Sequence, residues 1–148
     1  MTARIEEHAM AKVKMESKVP VAADVLWQTV GGFNALPQWH PGIASSEATG
    51  DAKGSTRTLT LAGGGKLVER LEDKDPKRRS YRYSIVSGPL PVADYTSEVH
   101  VIDNGDGTST LEWSSDFQPK GASEQDALGV MRGVYQAGFD NLRKMFGA

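Results

Sequence analysis

Residues 123–146 read SEQDALGVMRGVYQAGFDNLRKMF, and their period differs from that of the chain before them. Leu128, Met131, Val134, Tyr135, Phe139, Leu142, Met145 and Phe146 recur at the spacing of one helix face. Ser123 can cap the first turn, and Glu124 and Asp126 place acids at the positive end of the helix dipole. The spacing predicts one helix from Ser123 to Phe146, more than twenty residues long. Upstream of Pro119-Lys120-Gly121 the pattern changes to period two, so this helix must pack on strands.

Those strands can be read in order. Ala11 to Val19 alternates and ends at Pro20. A short helix follows from Ala22-Ala23-Asp24, with Val25, Leu26 and Val30 as its apolar stripe, and stops at Gly31-Gly32. A second short helix over Phe33 to Trp39 ends before Pro41, since a residue preceding proline is pushed out of the α region. Strands are then predicted at Ile43–Thr49, Thr56–Leu61, Lys66–Asp73, Arg79–Val86, Tyr95–Asp103 and Ser109–Phe117. Glycine- and proline-rich turns separate them, and Asn104-Gly105-Asp106-Gly107 is the strongest hairpin signal. Strands joined by short turns are antiparallel, and a sheet of seven will twist and curl. The expected fold is α+β: a seven-stranded curved antiparallel sheet around a long C-terminal helix, with two short helices between strands one and two. A sheet curled around one helix tends to leave a cavity between them.

Composition narrows the function. The 148 residues form one domain, 1–148, with no repeat or linker, and 24% of them are charged. Seventeen Lys plus Arg against nineteen Asp plus Glu give a net charge of −2, so no nucleic-acid partner is expected. There is no cysteine, hence no disulfide, thiolate nucleophile or Cys-ligated metal. His8, His40 and His100 are too scattered for a metal site. Gly63-Gly64-Gly65-Lys66 lacks the spacing of a phosphate loop, and no serine sits in a nucleophile elbow. MTARIEEHAM has no apolar h-region and no run approaches ~18 apolar residues, so a cytoplasmic protein without integral membrane association is expected.

The order of elements resembles the START/Bet v 1-like (SRPBCC) superfamily, which includes polyketide cyclase/dehydrase-like proteins, lipid-transfer domains and, more distantly, plant abscisic acid receptors. The resemblance covers nearly the whole chain. It is carried by VPVAADVLWQTVGGFNALPQWHPGI with its D-x-x-W-x-x-V-x-x-F-x-x-L-x-x-W spacing, by YRYSIVSGPLPVADYTSEVHV, by TLEWSSDFQP and by GFDNLRKM. It implies the helix-grip fold, a small hydrophobic or amphipathic ligand and no cofactor. LAGGGKLVERL and SGPLPVADY fall where the receptors carry their gate and latch, but both lack the receptor sequences, which argues against hormone-triggered phosphatase binding.

Candidate site residues follow from strand parity and from the resemblance. Glu69 alternates with Leu67 and Leu71 on the face expected to turn inward, and the resemblance implies a pocket glutamate there. Arg57 and Leu59 share the corresponding face of the neighbouring strand, so an Arg57–Glu69 pair is the alternative to cavity lining. Tyr81 and Tyr83 on one strand, and Tyr95 and Ser97 on the next, place hydroxyls inward. His40 matches a pocket lysine of the receptors and could act as an acid or base, or simply bond a free helix-end carbonyl. The resemblance implies Glu112 as a pocket carboxylate, whereas parity turns Leu111, Trp113 and Phe117 inward, and only a bulge would reconcile them. On the long helix, Val130, Val134, Ala137, Gly138 and Asn141 form a stripe, and Gly133 and Gly138 are read as leaving space beneath it.

Three functions are compatible with these residues. The first is a binding module for a small amphipathic molecule. The second is a polyketide cyclase, dehydratase or isomerase type of enzyme in which His40 or Glu69 removes a proton and Tyr95 stabilises an enolate. The third is a protein-interaction module. The sequence leaves ligand identity and oligomeric state, monomer or dimer, open.

Overall fold

Hairpin chemistry lays out the sheet. In the computed structural model, which describes residues 10–147, Gly105 and Gly107 take φ of +83° and +86° in the Asn104–Gly107 turn. The elements in chain order are β1 (Ala11–Val19), α1 (Ala23–Val30), α2 (Leu36–Trp39), β2 (Ile43–Ala48), β3 (Thr56–Leu61), β4 (Lys66–Asp75), β5 (Ser80–Ser87), β6 (Val92–Asp103), β7 (Ser109–Pro119) and α3 (Glu124–Met145). The strands form one seven-stranded antiparallel sheet in the order β1-β7-β6-β5-β4-β3-β2. The two short helices cross from one edge of this sheet to the other, and α3 packs across β1 and β7. This is the helix-grip architecture expected from the sequence.

Parity decides what the helix grips. Leu111, Trp113, Ser115 and Phe117 of β7 are buried while the residues between them are partly exposed. The Trp113 indole stacks on the Tyr135 ring of α3 at 4.3 Å and 19°. Ser123 caps α3 by accepting the Asp126 N–H at 3.1 Å, as its sequence predicts. Ala127, Met131, Tyr135, Gly138, Phe139 and Leu142 are the buried face of α3.

Two departures from the predicted boundaries have physical causes. The second short helix begins at Leu36, not Phe33. The Phe33 N–H donates to the Asp51 carboxylate at 3.0 Å, and its carbonyl accepts from Arg57 at 2.5 Å. Both backbone groups are thus committed to side chains and unavailable to a helix. Strand β6 begins at Val92 rather than Tyr95, because a bulge between Ala93 and Thr96 interrupts the alternation without ending the strand. Among the described residues no helix is long and apolar enough to cross a membrane, and no His, Asp or Glu group could hold a metal ion. His8 lies outside the described residues.

Candidate functional site

The deepest polar feature is an ion pair. Register sets Arg57 of β3 opposite Glu69 of β4, and both side chains face inward and are buried. Arg57 Nε donates to Glu69 Oε1 at 2.8 Å, and Nη2 lies 2.7 Å from the same oxygen. Glu69 Oε2 is therefore not engaged by the guanidinium. Aromatic rings close around the cation: its Cζ lies 4.4 Å from the Phe33 centroid, 5.0 Å from Tyr83 and 5.8 Å from Tyr81. Burial works against the charge on Arg57, but the Glu69 carboxylate beside it outweighs that cost and holds the guanidinium protonated. Burial pushes the Glu69 carboxyl above its ordinary value, with Arg57 opposing the shift.

Beside this pair lies a hydroxyl cluster. Trp113 Nε1 donates at 3.1 Å to both Tyr83 Oη and Ser97 Oγ. Ser97 Oγ in turn donates to the Ser114 carbonyl at 2.8 Å. The Tyr83 and Tyr95 hydroxyls are 3.5 Å apart, and Tyr95 is hydrogen-bonded to Tyr135. Since Tyr83 already accepts from Trp113, its own proton is left with a distant acceptor. Burial raises Tyr83 and Tyr95 well above the ordinary phenol value and Tyr135 to about 12, so all three remain neutral hydroxyls at physiological pH.

A cavity of about 30 Å³ sits between these groups and α3. Of the predicted residues, His40, Leu59, Leu67, Glu69, Tyr83, Tyr95 and Val134 line it. Arg57 and Tyr81 stand one layer behind, where Arg57 fixes Glu69 and Tyr81 packs on the guanidinium. Leu36, Ile43, Ile85, Leu90, Trp113 and Met131 also line it and were not among the predicted site residues. Parity had turned Ile85 and Trp113 inward, and helical spacing had done the same for Met131. Nothing in the pattern marks Leu90, which sits in a loop.

His40 is inside the protein but is not free. The Gly42 N–H donates to Nδ1 at 3.0 Å, which fixes the proton on Nε2, and Nε2 donates to the Val134 carbonyl at 2.6 Å. With both ring nitrogens held by backbone, His40 has no free nitrogen for the predicted acid-base role, and Glu69 is the remaining candidate. Burial pushes the imidazole below its ordinary value, against the pull of the Val134 bond. Asn141 belongs to the same clasp and donates to the Trp39 carbonyl at 3.0 Å. Gly138 lets the clasp close, since a Cβ there would come within 2.9 Å of Trp39, 3.1 Å of His40 and 3.1 Å of Trp113.

Several expectations are corrected. Glu112 does not line the cavity; it is on the opposite face of β7, where its carboxylate meets Lys14 at 3.6 Å and His100 at 3.5 Å. No bulge intervenes at this position, so the parity that buries Trp113 turns Glu112 outward. Val130 is 41% exposed, because the face of α3 that meets the sheet is centred on Met131 and Tyr135. Gly133 is exposed with nothing near its missing Cβ, so it creates no space beneath the helix. Gly138 marks close packing rather than room. Ser97 and Ala137 do not reach the cavity: Ser97 is spent on Trp113 and Ser114, and Ala137 is half-buried on the flank of α3.

A curled sheet gripping a long helix, with an aromatic and ion-paired interior, defines a START/Bet v 1-like protein. A family model described as "Polyketide cyclase / dehydrase and lipid transport" matches residues 10–147, and the chain belongs to that family. Among solved structures it is similar to the protein XoxI from Bacillus cereus, at 36% identity and TM-score 0.88 over 93% of this chain and 96% of that one. It is similarly close to a protein from Bacillus thuringiensis, at 34% identity and TM-score 0.88 over 93% and 100%. The ZhuI aromatase/cyclase from Streptomyces sp. R1128 shares the fold at 18% identity and TM-score 0.75 over 93% and 94%. No curated protein matches the chain significantly.

Proposed function

We propose that the protein binds a small hydrophobic or amphipathic molecule at the grip between sheet and α3. The observation carrying this reading is the polar end of the inner cavity. Glu69 offers an acceptor oxygen that Arg57 does not use, and Tyr83 and Tyr95 offer neutral hydroxyls, all within an apolar wall. A few fixed polar groups in an apolar lining are the usual chemistry of a ligand site. Arg57 and the clasp around His40 are positioning elements, which hold Glu69 and α3 in place. Native mass spectrometry of the protein as purified from expressing cells tests this. The expected result is a small-molecule adduct whose occupancy falls in Tyr83→Phe and Tyr95→Phe. Bare protein mass, together with no thermal shift across a panel of amphipathic compounds, would refute it.

A second reading is a cofactor-independent cyclase or dehydratase, favoured by a buried carboxyl held above its usual value beside hydroxyl donors. Glu69 would take a proton next to a carbonyl, and Tyr83 or Tyr95 would donate to the enolate oxygen. Deuterium exchange at the central carbon of acetylacetone, followed by NMR, separates the two readings. Exchange above the buffer rate that survives His40→Gln supports the enzyme, and exchange at the buffer rate leaves a binder.

A further inference from the structure

We propose that the body of the ligand lies in a breach of the sheet between β5 and β6 and that only its tip enters the interior. This rests on the binding reading above and gives it a location and a ligand class. Strand β5 runs to Ser87 and β6 starts at Val92, yet the two pair only between Ser80–Ser84 and Thr96–His100. Ile85–Ser87 and Val92–Tyr95 therefore face each other without a ladder. Strand β6 leaves the regular path at the same point. Its bulge lies between Ala93 and Thr96, and Asp94 has a φ of +51°, a conformation that non-glycine residues adopt at a cost.

The resulting cleft has a volume of about 680 Å³. It is lined by outward-facing Ser84, Val86 and Thr96 and by inward-facing Ile85, Val92 and Tyr95, so it passes into the sheet rather than over it. Ile85, Leu90 and Tyr95 also line the inner cavity of about 30 Å³. These three side chains are the partition between cleft and interior.

The two volumes define the ligand. The inner cavity is the size of one water, far below the ~300–1,000 Å³ of ligand pockets, whereas the cleft falls within that range. A ligand entering here has a slim tip inside and its bulk in the breach. The tip is uncharged: an anion would face Glu69, and Arg57 behind Glu69 already balances that carboxylate, leaving no net charge for a cation to meet. A hydroxyl fits best, since it donates to Glu69 and accepts from Tyr83. The body is amphipathic, with an apolar side against Val86, Leu90 and Val92 and a polar side against Ser84, Ser87 and Thr96, and the outer end meets Asp94 and Lys120. The class is an elongated molecule ending in a hydroxyl.

The test is a titration of the full chain with n-decanol, followed by methyl and aromatic NMR shifts. Val86 is 47% exposed, so Val86→Trp fills the breach without disturbing the core. Thr96→Trp does so from the opposite flank and covers the case in which the first variant does not fold. Ala62→Trp, in the exposed turn between β3 and β4, is the control at the other loop. The expected result is at least a tenfold loss of n-decanol affinity in Val86→Trp or Thr96→Trp, with Ala62→Trp within twofold of wild type. Unchanged affinity in the breach variants, or a loss confined to Ala62→Trp, overturns the breach and leaves the binding reading standing. Absence of shifts with the wild type overturns both the breach and the hydroxyl ligand class, and the native mass spectrum still decides the binding reading independently.

Discussion

Two glycines on α3 should respond to the same substitution with opposite sign. Gly138 is buried where α3 meets α2 and β7, and an added Cβ would lie 2.9–3.1 Å from three aromatic rings. Carbon contacts are most favourable near ~3.5–4.0 Å, so each ring would have to retreat by about half an ångström. None can retreat easily. His40 is fixed by two backbone bonds, Trp113 is hydrogen-bonded and stacked on Tyr135, and the Trp39 carbonyl is held by Asn141. Gly138→Ala gains about 1 kcal/mol of helix propensity and incurs an overpacking cost of about 1–3 kcal/mol. A net loss of about 1 kcal/mol is expected. Gly133 has nothing within 4 Å of its Cβ position, so Gly133→Ala should stabilise by about 1 kcal/mol. The two variants should differ by about 2 kcal/mol, or about 6 °C in Tm at roughly 3 °C per kcal/mol. Urea unfolding with a shared m-value, checked by calorimetry, measures this difference. A Gly138→Ala protein as stable as Gly133→Ala would refute the close-packed clasp.

Three further outcomes follow from the same contacts. The fold holds His40 neutral with its value lowered, so the unfolded chain binds more protons in acid. Stability should be fully present above the unfolded value near ~6.5 and fall as pH drops below it, by up to about 1.4 kcal/mol per pH unit until the folded value is reached; His40→Gln, measured by urea unfolding from pH 7.5 to about 4.5, should lack this slope. Glu69→Gln leaves a buried guanidinium without its counter-charge and should cost about 3–5 kcal/mol, whereas the double variant Arg57→Met/Glu69→Leu should recover much of that loss, as a double-mutant cycle would show. Ser123→Ala removes the cap on α3 and should cost about 1 kcal/mol by the same unfolding assay, with the loss absent in Ser123→Asp.

The fold was legible because its signals are local and periodic. Period two in the strands, period 3.6 after Ser123 and glycine turns between them place every element to within a few residues. Strand parity alone placed Glu69 and Arg57 on one inward face, and it put Trp113 rather than Glu112 inside. What parity could not show was how those groups are spent. The partner of His40 is a main-chain carbonyl 94 residues away, and no side-chain pattern encodes it. Helical spacing puts Gly138 and not Gly133 on the inward stripe, but only the neighbours across the interface show that Gly138 marks close packing and not room. The breach between β5 and β6 depends on the Asp94 bulge, whose one trace is the odd spacing between two buried residues, Val92 and Tyr95.

The central claim is that the grip between sheet and helix receives a ligand, and intermolecular NOEs test it most directly. With n-decanol bound to methyl-labelled protein, the account predicts NOEs from the alcohol to Leu67, Ile85, Leu90 and Val134, together with shifts of the Tyr83 and Tyr95 ring signals. NOEs confined to the exposed side chains Val25, Val130 or Met145, with those tyrosine signals unmoved, would contradict it.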